Sequence, residues 1–495
     1  MSYSKFIQVT SQFYDLISQI VRSIYLVIFY VVFMVVFSSF QIPAIAVLFP
    51  IILCVFVFIA LRTKQRKMPF IIIILCLPLI MFVANQLQVS TYTWDYGELL
   101  NRAAEYALKG EFSYTNYYAV YPNNKMWLTV LIFIFKIVIF CVKDADEAFL
   151  FAFSTYFSAF IVWCVIAVFY KIVEGNLYKC LFFIMCLPLW CYCTFAYTDV
   201  ATMFMIICLL YIIKTRNSNH KISFYFMIGI MLVFGYLIKP TFFIAYIAIT
   251  MITCIYIIKY KLYKQLVAFI VAACLSAILL TAICDKIVPV SESEADRWQM
   301  PATHYFMMGL NQADNGGYVQ EDVIYTESFE TQEAKKTANI NKLKERISEM
   351  GLVGTIKFIF ISKLNRTWGN STLNAPMYLA REPLNDSFLH YFVLETGKYY
   401  KWFKLYCWIY HLFMLTGLLL SGFGAIKKTN SDALIVRISR LTLLGLFTFL
   451  SIWECNSRYL VAFIPMLVLV SIDGWGKTIM CVRSFYGCNK KSRIF

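Results

Sequence analysis

The sequence predicts an all-α polytopic membrane protein of about twelve transmembrane helices, with two extracytoplasmic loop regions forming the active-site face. Three observations carry this. Hydrophobic residues make up 61% of the 495 and charged residues only 15%, where a soluble domain is nearer half apolar and a quarter charged. Mean hydropathy is +0.68. Apolar runs of about 18 residues or more, enough to cross the hydrocarbon core, recur along the chain. A membrane β-barrel would show short alternating segments instead.

The net charge of +16 sits in short basic clusters between apolar runs, the pattern that orients helices in a membrane. It argues against a nucleic-acid surface. The 16 cysteines are scattered, mostly inside apolar runs, and read as small buried hydrophobes rather than a disulfide framework or zinc site. The four histidines show no ligand spacing. Met1 to Arg22 is mixed polar and apolar without a cleavage signal, so the first helix is expected to remain as an anchor.

Taken in order, the first spans are Ser23–Phe40, Ala44–Ala60 and Phe70–Gln88. The second ends in a basic loop, Arg62, Lys64, Arg66 and Lys67, which places it in the cytoplasm. The third delivers a long polar stretch, Thr91–Lys125, to the outside. Met126–Val142 is marginal in length and carries Lys136 near its centre. A charge at mid-membrane is expensive, and a crossing here would put every later basic cluster outside. It is therefore read as interfacial. Further spans follow at Ala148–Tyr170, Lys179–Tyr197, Val200–Lys214, Ile222–Ile238, Thr241–Ile258 and Leu266–Val288. Next comes a second outer region, with a charged helix over Thr331–Met350 and an apolar, interface-suited stretch over Gly354–Asn365. Spans Trp402–Ile426, Ile435–Ile452 and Tyr459–Trp475 close the chain. The organisation is thus N-terminal helices 1–90, first outer loop with interfacial helix 91–147, helix bundle 148–288, large outer region 289–401, and C-terminal helices with a basic cytoplasmic tail 402–495.

The polar residues left unexplained gather at the outer face, where an ionisable group next to hydrocarbon suggests function. Asp95 directly follows a span and could act as base or metal ligand, or only cap a helix starting near Tyr96. Glu98 shares its helix face as a second carboxylate, or neutralises Arg102. Asp199 is the lone acid in a long apolar region, again a catalytic candidate or an N-cap. Lys239, before Pro240, could hold a lipid phosphate or snorkel. Glu454 and Arg458 could pair, and Arg458 could clamp a phosphate. Lys363, Arg366, Trp368 and Arg381 form a basic-aromatic segment suited to a phosphorylated sugar or to an interfacial belt.

In order and placement these residues resemble the integral-membrane C-type (GT-C) glycosyltransferases, the protein O-mannosyltransferase and aminoarabinose transferase group, in particular bacterial, Gram-positive-like members. The resemblance covers Phe70 to Trp475. It rests on the early loop beginning at Asp95, its Tyr114-Thr115-Asn116-Tyr117-Tyr118 strip and Tyr121-Pro122 turn. It rests also on Tyr197-Thr198-Asp199, Leu237-Ile238-Lys239-Pro240-Thr241 and Ser457-Arg458-Tyr459-Leu460. The resemblance implies a multi-pass cell-membrane enzyme with both termini cytoplasmic. It would transfer a sugar from a polyprenyl-phosphate donor to an extracytoplasmic hydroxyl on an envelope glycan, teichoic acid, lipid or protein, with inversion. It implies Asp95, Asp199 and Glu98 as catalytic residues, and Lys239, Arg458 and Arg366 on the donor phosphate. Tyr96, Tyr121, Trp368 and Glu454 would contact substrate, and Asp95 with Asp199 would hold a divalent cation, magnesium or manganese. The sequence departs from the mannosyltransferases in having Tyr96, not Glu, after Asp95, and from several relatives in having Tyr121-Pro122 rather than a Pro-Pro turn.

Two other readings stay open. An envelope polysaccharide polymerase or O-antigen ligase would use Arg366, Arg381 and His390 in the late loop. A lipid-linked sugar flippase or transporter would instead bury its polar residues along a central path.

Overall fold

The computed structural model describes residues 3–39, 49–56, 66–92, 94–113, 115–215, 221–423 and 431–485. Of the expected second span only 49–56 is described, and it is helical. Arg62, Lys64, Tyr114, Arg216, Lys427, Lys428 and the C-terminal tail from residue 486 lie outside the described residues. The protein is an all-α polytopic membrane protein. Among the described residues nine helices are long and apolar enough to cross a membrane, or ten if the bent pair Leu177–Ile184 and Leu187–Thr194 is one span. Phe70–Gln86 and Ile222–Ile238 are shorter apolar helices.

The helices pair closely where small residues allow. A Cβ on Gly474 would stand 1.9 Å from the Gly417 carbonyl oxygen, so Tyr400–Gly422 and Ile464–Phe485 touch backbone to backbone, a small-residue contact common between membrane helices. The N-terminal helix Tyr3–Ser38 joins this core. The Tyr25 hydroxyl donates to the Leu418 carbonyl at 3.0 Å.

Phe70–Gln86 and Glu147–Ile172 run antiparallel. Tyr156 donates to Asn85, Trp163 to the Ile73 carbonyl and Tyr170 to the Met68 carbonyl. Rising residue numbers on one helix meet falling numbers on the other. The intervening segment therefore leaves and re-enters at one end of the pair. Within it, Pro122–Cys141 forms 20 residues of mean hydropathy 1.9, longer than the marginal run the sequence suggested. While the segment as a whole returns to the end it left, by length and composition this helix could cross a membrane. It packs along the amphipathic helix Trp94–Lys109, and Lys136 lies 4.7 Å from the Tyr106 ring centroid, which gives the mid-helix charge a partner.

The early loop meets the late polar region at this end. Ser90 N–H donates to the Glu382 carbonyl and Leu384 N–H to the Gln88 carbonyl. Val120, Met300, Met308 and Val323 share a small apolar cluster. The late region is helical in short pieces. Ser291 and Glu294 form a capping box, and a buried Arg346–Asp322 pair at 2.6 Å staples two pieces. The charged helix appears as expected, over Gln332–Lys357, with a break at Gly351 where φ is 65°. His304 bonds Thr326 at 2.7 Å. Burial pulls its imidazole down to about 4, so it is a neutral structural histidine. Every described cysteine is free.

At the opposite end Met68 N–H donates to the Gly175 carbonyl, and Lys214 pairs with Glu174 and Asp432.

Candidate functional site

Four chain breaks converge at the loop-bearing end. The first is the start of Trp94–Lys109. A Cβ on Gly97 would lie 1.9 Å from the Thr91 carbonyl oxygen. Gly97 thus lets the helix press against the preceding loop and fixes where Trp94 and Asp95 point. The second is Tyr197, with Asp199 in the first turn of Thr198–Thr215. The third is Lys239, extended between Ile222–Ile238 and the turn that Pro240 begins; proline lacks the N–H that would continue the helix. The fourth is the 3-10 turn Ser457–Phe463, where Asn456 caps the Arg458 N–H at 2.9 Å.

These breaks assemble an ionic cluster inside an aromatic box. Lys239 donates to Asp199 in a buried ion pair. Arg458 Nε lies 3.6 Å from the other Asp199 oxygen. The Arg458 guanidinium stands 4.7 Å from the Trp94 ring centroid, 4.6 Å from Tyr378 and 5.3 Å from Tyr197. Lys239 faces Tyr459 at 5.4 Å. Desolvated cation–π contacts of this kind contribute about 2 kcal/mol. Tyr459 donates to Glu454 at 2.6 Å, and burial pushes the Glu454 carboxyl up, toward its neutral form. Lys239 and Arg458 thus both face the single Asp199 carboxylate, while Glu454 is held by Tyr459. Among the described residues Arg458 Nη1, Trp94 Nε1, Thr241 Oγ1 and Ser457 Oγ are buried without a hydrogen-bond partner. Unpaired buried donors are rare and call for an explanation. An anion beside the Arg458 guanidinium would supply one for Nη1.

Asp95 lies on the outer side of this box. Its Oδ2 accepts from the Tyr197 hydroxyl at 3.1 Å. It lines an open cavity of about 470 Å³ with Trp94, Glu98, Tyr117, Tyr121 and Glu327. Burial, and then the nearby Asp95, push the Tyr117 hydroxyl well above its ordinary value, so it stays a donor. Arg458 and Lys239 do not line the cavity. Trp94 does, and it carries Arg458 against its ring.

The sequence candidates separate on this geometry. Asp95, Asp199, Lys239, Arg458, Glu454 and Tyr121 come together. Glu98 lines the cavity but is held by Arg102 at 3.0 Å. Arg366 is tied to Asp314: its fork clasps both carboxylate oxygens, one at 2.6 Å, and its Nε reaches the Cys455 carbonyl. That arrangement does not fit a donor-phosphate clamp. Two further expectations are corrected. Tyr96 is buried and turned toward Ser154 and Thr155 of the neighbouring helix, because adjacent helical positions point about 100° apart. Trp368 is 1% exposed, its ring edge-on to Phe29. Neither presents a face to substrate. Lys363 is buried too, donating to the Trp453 carbonyl at 2.8 Å, and its ammonium is pulled down to about 8 by burial.

The metal expectation does not fit either. Among the described residues no three His, Cys, Asp or Glu side chains gather as a ligand set, and the partner of Asp199 is the Lys239 ammonium, which a divalent cation would have to displace. Sequence reasoning missed Trp94 and Tyr378 as site residues. Trp94 adjoins Asp95 and was within reach. Tyr378 joins from more than 200 residues away with no local signal.

Asp199 thus has a structural duty. Asp199→Asn leaves two buried cations against no anion and is expected to destabilise the fold by about 3–5 kcal/mol, read as a lowered melting temperature in detergent. An unchanged melting temperature would contradict the buried ion pair.

The polymerase alternative is not favoured by this layout. Arg381 does stack near the box, 5.4 Å from the Tyr378 ring. Among the described residues, however, the His390 ring accepts only from the nearby Ser387 N–H, and Arg366 is paired with Asp314.

No curated protein matches the chain. Among solved structures it is similar to the crystal structure of ArnT from Cupriavidus metallidurans bound to undecaprenyl phosphate. The identity is 10% and the TM-score 0.33, over 85% of this chain and 80% of that one. The family model described as "Conserved hypothetical integral membrane protein" matches residues 2–479, and the chain belongs to that family.

Proposed function

We propose that the protein is a membrane glycosyltransferase of the C type, using a polyprenyl-phosphate sugar at the extracytoplasmic face. One observation carries the reading. A buried cluster of two cations, Lys239 paired with Asp199 and Arg458 with an Nη1 that has no partner among the described residues, stands one aromatic ring away from a cavity-facing carboxylate, Asp95. The first is what a leaving phosphate needs, and the second is what an attacking hydroxyl needs.

In this mechanism Asp95 takes the proton of the acceptor hydroxyl. The oxygen attacks the anomeric carbon, the bond from that carbon to the phosphate oxygen breaks, and the electron pair leaves on the phosphate. Cationic groups fixed where charge develops lower the barrier, here Arg458 and Lys239. Attack opposite the leaving group inverts the anomeric centre. Tyr197 and Tyr117 hold the carboxylate, and Tyr121 borders the acceptor entrance. No step is assigned to a metal.

The test follows release of free polyprenyl phosphate by the purified protein in lipid nanodiscs, given polyprenyl-phosphate sugars and a membrane extract as acceptor source. Release that depends on the extract supports the reading. No release with any donor would move the assignment to a transporter.

Sidedness follows from charge. The end opposite the site carries Arg66, Lys67, Lys179 and Lys214, and basic ends face the cytoplasm. Residues 91–147 and 289–401 then face outward, with Trp94–Lys109 and Lys125–Cys141 lying along the interface. An Asp144→Cys variant, in a background with the exposed cysteines replaced, is expected to react with an impermeant thiol reagent added to intact cells. Reaction only from the cytoplasmic side would contradict this topology.

A further inference from the structure

A second cavity, of about 440 Å³, opens beside the aromatic box, within the roughly 300–1,000 Å³ of small-molecule sites. Four asparagines line it, Asn315, Asn365, Asn370 and Asn374, with Ser362 and Arg366. Nothing in the mechanism above uses them.

The cavity is polar but not charged. Arg366, its one cation, is closed off by Asp314. An anion would find no free charge there, unlike at Arg458. Carboxamides each offer two in-plane N–H donors and an acceptor oxygen, the pattern that matches vicinal hydroxyls. Among the described residues the side chains of Asn315 and Asn365 make no hydrogen bond within the chain, and Asn365 Oδ1 is buried without a partner. The other two are wired to the box. Asn370 donates to Asn374 at 2.8 Å, Asn374 to Asn456 at 3.1 Å, and Asn456 to the Tyr378 hydroxyl at 3.1 Å. Asn374 holds a left-handed backbone, φ 63°, a conformation asparagine tolerates better than most residues. A solvated polar cleft would need neither the relay nor that backbone.

We infer that this asparagine-lined cavity is a glycosyl subsite, which holds a neutral, hydroxyl-rich sugar unit next to the phosphate-binding box. The inference rests on the proposed transferase reading and adds where the sugar is recognised. The sugar comes either from the lipid-linked donor or from a glycan acceptor.

The test measures binding to the full chain in nanodiscs. The probes are polyprenyl phosphate, the same lipid carrying glucose, mannose or galactose, and free methyl glycosides and short glucans. The wild type is compared with an Asn315→Ala, Asn365→Ala double variant, whose lost side chains make no internal hydrogen bonds. The expected result is that a sugar adds affinity in the wild type, and that the variant loses about tenfold of it while binding bare polyprenyl phosphate as before. Gain confined to the lipid-linked sugars identifies the donor; free glycan binding on top of bound polyprenyl phosphate identifies the acceptor. No gain from any sugar, or an equal loss for bare lipid, overturns the subsite. Asparagine-dependent glycan binding without any lipid-phosphate binding leaves the subsite standing and removes the transferase reading.

Discussion

Asp95→Asn is expected to lower turnover by about 10²–10⁴-fold, the range general-base catalysis contributes, with donor binding retained. The argument is geometric. The Tyr197 hydroxyl donates to Asp95 Oδ2, and asparagine's carbonyl oxygen can accept that same bond. The substitution therefore preserves the Tyr197 contact and removes the negative charge together with the capacity to take a proton. The side chain lines the cavity and meets the ionic cluster only through Tyr197, so donor binding should be largely retained. The check is polyprenyl-phosphate release measured beside donor affinity and melting temperature. Unchanged turnover in a folded variant would take Asp95 out of the mechanism without touching the cationic cluster.

Arg458→Gln is expected to cost about 10²–10³-fold in donor affinity or turnover, as for removal of a pre-placed donor to developing charge. Arg458 is the cation with free N–H groups, whereas Lys239 is already donating to Asp199. Removing Arg458 leaves the Lys239–Asp199 pair intact, so Asp199 keeps its cation and the protein should fold. Arg458→Lys should rescue little. The guanidinium faces both Trp94 and Tyr378, at 4.7 and 4.6 Å from their ring centroids, and an ammonium offers neither its flat face nor its fork. Full rescue by lysine would show that only charge matters there.

Much of this was legible in the sequence. Asp95, Asp199, Lys239 and Arg458 all sit where an apolar run breaks, and a charge at such a break has few inexpensive explanations. Their convergence follows once the breaks fall at the same end of the bundle. What failed was orientation. Tyr96 belongs to the buried stripe of Leu99, Leu100, Ala103 and Ala104, a helical periodicity visible in the sequence but outweighed by its adjacency to Asp95. Trp368 follows Leu364 by one helical turn on the same buried face. The non-local partners had no signature: the relay from Asn374 through Asn456 to Tyr378 depends on contacts some 80 residues apart. Arg366 was judged by its charge, and its neutralisation by Asp314, 52 positions away, is a tertiary fact.

The central claim is that the buried cations Arg458 and Lys239 bind a lipid phosphate. The most direct measurement is equilibrium binding of polyprenyl phosphate and of the uncharged polyprenol to the wild-type protein in nanodiscs. The account predicts saturable binding of the phosphate, none of the alcohol at the same concentrations, and loss of the phosphate binding in Arg458→Gln. Equal binding of both lipids, or phosphate binding unchanged by the substitution, would contradict it.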